Sequence, residues 1–294
     1  MTELRQKMIR AMELRNLSHH TQRTYLAAVT GLAKHYAKSP DKITSKMVED
    51  YLLHLKHEKK KAPNGCSSVL CGIRFFHRHV MGEELSTNFS VRRTSRLPEV
   101  LTMEEVWKLI TSTHNLKHRM ILMTTYSAGL RASEVSNLKP KHIDSKRMLI
   151  KVRGKGDKDR YTLLSKRLLV ELKEYYKKYR PQPYLFPSSF SKKKNKPLAY
   201  ESIRRIYENA RKKAGIKRGP GIHTLRHAFA THLLETGHDI RKIQVLMGHR
   251  RLSTTIIYLY VSRETLSKIP SPLDLIDTEN SGKEDRNDDP NHKS

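Results

Sequence analysis

The sequence predicts a mainly α-helical protein with one small β-hairpin, an α+β chain in two modules. Three observations predict it. Apolar residues recur at three- and four-residue spacing along most of the 294 residues. One stretch, "RMLIKVRGKGDKDRYTLLS" (Arg147 to Ser165), reads as strand, Gly/Asp-rich turn and strand. A non-periodic, arginine-rich segment, "STNFSVRRTSRLPEV" (Ser86 to Val100), separates an early set of helices from a later one.

Residues 1–85 read as several short helices. Leu26, Val29 and Leu32, then Val48, Leu52 and Leu55, fall on one helical face each. Asp41 and Thr44–Ser45 are candidate caps for the "KMVEDYLLHL" helix. Residues 86–99 form the expected linker. The second module, 100–270, opens with "LTMEEVWKLI", where Thr102 and Glu105 have capping-box spacing. After the hairpin, a helix is expected from His223 to Thr236, stopped by Gly237. Ile240, Ile243 and Leu246 form a core stripe that ends at Gly248. A last helix runs from Ser253 to Val261. Residues 271–294 hold seven carboxylates against three basic side chains and read as a disordered acidic tail.

Charge narrows the function. Lys plus Arg number 58 and Asp plus Glu 29, a formal net charge of +29. Such an excess repels itself unless a polyanion is the usual partner, and nucleic acid is the default one. The N-terminus lacks the apolar run of a secretory signal. The longest uncharged apolar stretch, Met120 to Leu130, is too short to span a bilayer. Cys66 and Cys71 make neither a disulfide framework nor a zinc site, and read as buried thiols in a reducing cytosol.

Several residues could carry chemistry. Arg131 sits between two helical patterns, and Glu134, three residues on, is placed to pair with it. His223 and Arg226 share a helical face. His227 is four residues from His223, but Thr224 replaces the Glu of the zinc-protease motif and Arg226 would repel a cation. His249 follows the Gly248 stop, where a lone histidine is usually a surface residue. On the last helix Leu252, Ile256, Leu259 and Tyr260 fall on one apolar arc. This predicts that Tyr260 is the packed tyrosine and that Tyr258 is exposed and free to meet a polar partner. Two arginines, a hairpin lysine, two histidines and a free phenol suit phosphoryl transfer. The guanidinium groups clamp a phosphodiester, the phenol attacks, and the imidazoles and lysine move protons.

Together Arg131 in "GLRASE", Lys155 in "GKGDK", "HTLRHAFATHLL", "LMGH" and Tyr258 in "LSTTIIYLYVS" resemble the tyrosine recombinase (phage integrase) family, most of all its Xer-type and integron-type members. The resemblance covers about residues 1–270. It implies a helical, SAM-like core-binding domain and a catalytic domain closing as a C-shaped clamp on double-stranded DNA. It implies that Tyr258 attacks a scissile phosphate to give a 3′-phosphotyrosine and a free 5′-hydroxyl. Arg131 and Arg226 would hold the phosphate, and Lys155 (rather than nearby Lys158) would protonate the leaving oxygen. His223 would assist at the tyrosine and His249 would bond the phosphate. No cofactor, metal or ATP is implied. Four copies would act on two duplexes, in a cytoplasmic, nucleoid-associated bacterial setting, for a transposon, phage or chromosome-dimer role. Three other readings remain: a DNA-binding protein of this fold without chemistry, a type IB topoisomerase-like relaxing enzyme, and an RNA-binding basic protein.

Overall fold

The computed structural model describes residues 2–90, 97–154, 159–188, 196–262 and 271–273, in two units, Met1–Arg96 and Leu97–Ser294. The first carries α1 (Glu3–Glu13), α2 (His19–Tyr36), α3 (Ser45–His57) and α4 (Pro63–Phe76), with a π turn at His77–Met81. Thr44 caps α3 by accepting the Met47 amide, whereas Asp41 lies in a separate 3-10 turn and accepts the Ser39 hydroxyl. The predicted faces meet at Leu32, which shares one buried cluster with Val48, Leu52 and Leu55 of α3 and Leu70 and Ile73 of α4. Val29 and Leu26 of the α2 face turn instead to a second cluster with Met8, Met12 and Phe76. Helices α2 and α4 approach closely at Gly72. A β-carbon there would lie 2.9 Å from Ala28 Cβ and 3.0 Å from the Tyr25 backbone. Cys66 is buried on this face, but Cys71 is exposed, because five residues along a helix turn it away from the core. The expectation of two buried thiols is corrected on that point. Of the expected linker, residues 86–90 adhere to this unit: Phe89 packs on its core and the Asn88 amide donates to Glu49.

The second unit contains α5 (Met103–Thr111), α6 (Leu116–Ser127), α7 (Ala132–Ser136), β1 (Ile143–Asp144), β2 (Leu149–Arg153), β3 (Asp159–Leu163), α8 (Lys166–Tyr179), α9 (Tyr200–Lys213), α10 (His223–Glu235), α11 (Ile240–Met247) and α12 (Ser253–Val261). The Thr102–Glu105 capping box starts α5 as expected. The hairpin forms β2 and β3, and the short β1 adds a third antiparallel strand in the order β1-β2-β3. Ile150, Val152 and Thr162 point inward, as period-2 alternation requires. Helices α6 and α10 are buried almost all round: Met120 through Thr125 on α6 and Thr224 through Arg226 with Ala228 through His232 on α10. They form the central pair on which the outer helices pack, and β3 of the sheet lies against α11. No helix among the described residues is long and apolar enough to cross a membrane.

Candidate active site

The site is organised by a buried carboxylate. Helix α6 ends at Ser127, and the chain reverses through Gly129 in the left-handed region (φ +58°). A β-carbon on Gly129 would lie 2.3 Å from the Phe229 ring, so only glycine fits. Arg131 then caps α7: its backbone N–H and its Nη1 both donate to Glu134, at 2.8 Å each. Its guanidinium remains one-third exposed. The pairing expected from spacing is therefore present, and it leaves donors facing outward.

Glu134 serves more than that pair. Arg160 of β3 meets it in a two-pronged contact, Nη1 to Oε1 at 2.7 Å and Nη2 to Oε2 at 2.9 Å. Arg226 Nη1 lies 3.6 Å from its Oε2. Burial would raise this carboxyl. The hydrogen bonds and charge of Arg160 outweigh that, helped by the Arg131 amide and the Arg226 charge, and hold it down to about 2. The carboxylate is thus ionised at any ordinary pH and offsets the desolvation of the guanidinium groups around it.

Arg226 is 4 % exposed. Its Nη1 donates to the Gly129 carbonyl and its Nη2 to the Met247 carbonyl, at 2.5 Å each. Burial and the Arg131 charge lower it to about 10 against the pull of Glu134, so it stays charged at neutral pH. Arg160 Nε donates to the Leu246 carbonyl. The C-terminal end of α11 is thereby gripped by two guanidinium groups. Gly248 ends α11 in the left-handed region (φ +62°), with a hypothetical β-carbon 2.7 Å from Arg160.

That turn delivers His249, which is half-buried and not the surface residue its isolated position suggests. Arg226 Nη2 donates to its Nε2 at 3.3 Å, so the ring proton sits on Nδ1 and is given to Thr255 Oγ1 at 2.9 Å. The Gln244 side chain holds the His249 carbonyl. Burial, then the charges of Arg226, Arg131 and Arg160, push His249 down to about 4.

The two tyrosines reverse their predicted burial. Tyr258 is 3 % exposed and Tyr260 is 66 % exposed. Helix α12 docks through Thr255 and Tyr258, spaced three apart, with Ser262 four further on. Its most apolar arc is left half-covered at Leu252, Ile256 and Leu259. The physical reason is that α12 docks on a mixed surface. Tyr258 joins a buried apolar cluster with Phe229, Ala230, Leu234, Ile243 and Met247. His227 and His249 offer hydrogen bonds that the Thr255–Tyr258 side can take and the purely apolar arc cannot. The expected polar partner does exist: Tyr258 Oη lies 3.1 Å from His227 Nδ1. The His249 ring stacks parallel to the phenol, centroids 6.5 Å apart. Burial raises the phenol, partly countered by Arg226 and Arg131.

His223 opens α10 from an exposed position, yet crowding on its protein side and the charges of Arg226 and Arg131 lower it. His223, His249 and Tyr258 thus each lie within the field of Arg131 and Arg226. Lys155, and with it Lys158, falls outside the described residues, as do 91–96 of the linker and 274–294 of the tail. Sequence reasoning missed Arg160 and the part played by His227. Strand alternation could have found Arg160, since Thr162 is an inward position and Arg160 shares its face. His227 was weighed only as a metal ligand.

Residues 99–265 match the phage integrase family, and residues 4–87 match its N-terminal SAM-like domain. A putative integrase/recombinase, y4qK, of Sinorhizobium fredii is 38 % identical over 280 residues, covering 94 % of this chain and 90 % of that one. The tyrosine recombinase XerA of Pyrococcus horikoshii is 42 % identical over 184 residues, 62 % of this chain and 64 % of its own. A crystal structure of the XerH site-specific recombinase, in a post-cleavage complex with its difH substrate, aligns over 90 % of this chain and 83 % of that one. The TM-score is 0.67 at 22 % identity. With a buried tyrosine, arginines and histidines gathered on a matching fold, and relatives of this similarity along nearly the whole length, the chain belongs to the phage integrase family of tyrosine recombinases.

Proposed function

We propose that this protein cuts and rejoins duplex DNA at a specific recombination site, with Tyr258 as the nucleophile. Tyr258 Oη attacks a backbone phosphate, giving a 3′-phosphotyrosine and a free 5′-hydroxyl. A 5′-hydroxyl from a second strand then reverses the step, and the phosphotyrosine conserves the bond so that no ATP is consumed. Arg131 and Arg226 hold the non-bridging oxygens and the charge that grows in the transition state. Arg131 contributes its outward donors, and Arg226 a buried charge aimed from the helix pair. His249 adds a neutral ring beside them: with its proton moved to Nε2 it donates to the phosphate, while Nδ1 accepts from the Thr255 hydroxyl. His223 assists proton transfer from its place at the head of α10. Lys155 at the hairpin protonates the leaving 5′-oxygen. Four copies act on two duplexes, the core-binding domain (residues 1–85) binds the core site, and the protein works in the bacterial cytoplasm on the nucleoid.

The observation that carries this reading is the placement of the Tyr258 hydroxyl beside a neutral imidazole and within the field of two arginines. The reading is tested with nicked duplexes of randomised sequence, in which cleavage releases a short fragment and cannot reverse. Wild type should select its site and form a covalent protein–DNA band, and Tyr258→Phe should form none. A relaxing enzyme would accumulate adduct with little sequence selection. A binding protein without chemistry would form no adduct with any duplex.

A further inference from the structure

We propose that His227 is a catalytic residue, the base that takes the phenol proton when Tyr258 attacks. This deepens the reading above and rests on it. The family resemblance implies His223 at that step, yet the ring nitrogen within hydrogen-bond distance of Tyr258 Oη belongs to His227. The contact joins α10 to α12. His227 sits one residue after Arg226, so the backbone that aims the guanidinium also aims the imidazole.

The direction of the hydrogen bond follows from the surroundings. The phenol is buried and raised, so it carries its proton. The imidazole is pushed down to about 4 by burial, then by His223 and Arg226, so it is neutral. A neutral ring facing a phenol through Nδ1 accepts there, and its own proton sits on Nε2. The groups facing Tyr258 are His227 and Arg226 from α10 and His249 from the turn after α11, with Arg131 from the cap of α7 acting through its charge. His249 cannot take the proton on Nδ1, because that nitrogen is hydrogen-bonded to Thr255, nor easily on Nε2, which holds Arg226.

The step balances. The Tyr258 O–H bond breaks and the His227 Nδ1–H bond forms. The phenolate oxygen bonds phosphorus, and the P–O5′ pair leaves on the 5′-oxygen, which takes a proton from the acid on the leaving side, assigned above to Lys155. In the rejoining step, the incoming 5′-hydroxyl gives its proton to the now-neutral group on the leaving side, assigned above to Lys155. Its oxygen bonds phosphorus, the P–O bond to Tyr258 breaks, and the imidazolium returns its proton to the phenol. The arginines disfavour an imidazolium in the free protein, and the two negative oxygens of a bound phosphodiester offset them.

A buried phenol needs some acceptor, and an amide would satisfy it equally well. The test turns on that difference. His227→Asn keeps an acceptor near the Nδ1 position but cannot take a proton, and His227→Ala leaves room for free imidazole. Both are measured in single-turnover cleavage of the nicked site selected above, with DNA affinity and melting temperature as checks on folding. We expect cleavage to slow by about 10²–10⁴-fold in both, the usual range for a lost acid–base group. We also expect imidazole to restore part of the rate to His227→Ala. A 5′-bridging sulfur in place of the leaving oxygen, which needs no acid, should leave the defect intact. Wild-type rates in His227→Asn would overturn the proposal, as would rescue of either variant by the sulfur substrate, which would place His227 at the leaving group. An adduct that persists in Tyr258→Phe would instead overturn the reading on which the proposal rests.

Discussion

The cores of the two units are built by opposite means. In the first unit the buried cluster of Leu32, Val48, Leu52, Leu55 and Ile73 is apolar throughout. In the second, a similar apolar core surrounds a carboxylate, Glu134, with Arg131, Arg160 and Arg226 converging on it. The first arrangement needs only surface burial to specify it. The second holds charge in a low-dielectric setting, where each group is stable only while its partners remain. The difference teaches where the protein keeps its stability and where it keeps its chemistry. Removing a part of the apolar cluster should weaken one unit locally. Removing a part of the charged knot should disturb fold and activity together.

The largest expected effect is at the centre of that knot. Glu134→Ala strands Arg160 and Arg226 in the interior and should destabilise by about 3–5 kcal/mol, the range for breaking a buried ion pair from one side. Denaturant unfolding checks this, and a loss below about 1 kcal/mol would show that water already solvates the cluster. In the first unit, Leu52→Ala should cost about 2–5 kcal/mol, through lost burial and the cavity left behind. Cleavage by the surviving folded fraction should keep its wild-type rate constant, in contrast to Glu134→Ala.

Acid should separate the units further. Glu134 lies at about 2 in the fold against an ordinary 4.5, so the stability it contributes is present above 4.5 and is lost as pH falls toward 2. His227 and His249 are held at about 4 against an ordinary 6.5. There the unfolded chain binds protons that the folded chain does not, so stability falls as pH drops from 6.5 toward 4. Denaturation midpoints measured in pH steps should therefore decline in two stages, and His249→Gln should flatten the earlier one. The smallest effect is on the exposed side of α12. Tyr260→Ser should change stability by less than about 0.5 kcal/mol, as an exposed substitution does. A larger loss, read from the same unfolding curves, would mean that the apolar arc of α12 is covered after all.

Apolar periodicity made most of the fold legible. The faces of α2 and α3, the α5 capping box, the hairpin and the glycine stops at 237 and 248 all follow from local rules, and the structure contains each. Alternation, period and capping report on one element at a time. The α12 prediction failed because it assumed that the most apolar arc finds an apolar partner. Its partner is a surface of α10 and α11 in which apolar side chains are interleaved with the rings of His227 and His249, and nothing local to residues 253–261 announces that. For the same reason His227 was legible as a residue but not as the partner of Tyr258, which lies 31 positions on. Arg160 shows an intermediate case: strand alternation turns it inward, but only Glu134 on a distant element explains why a charge belongs there.

The central claim is that the buried phenol, not the exposed one, makes the bond to DNA. The most direct measurement is to trap wild-type protein on its nicked site, digest the adduct with protease and nuclease, and locate the nucleotide-bearing tyrosine by mass spectrometry. The account predicts the modification on Tyr258, with none on Tyr260. A nucleotide on Tyr260 would contradict it, and would mean that α12 turns over before it cuts.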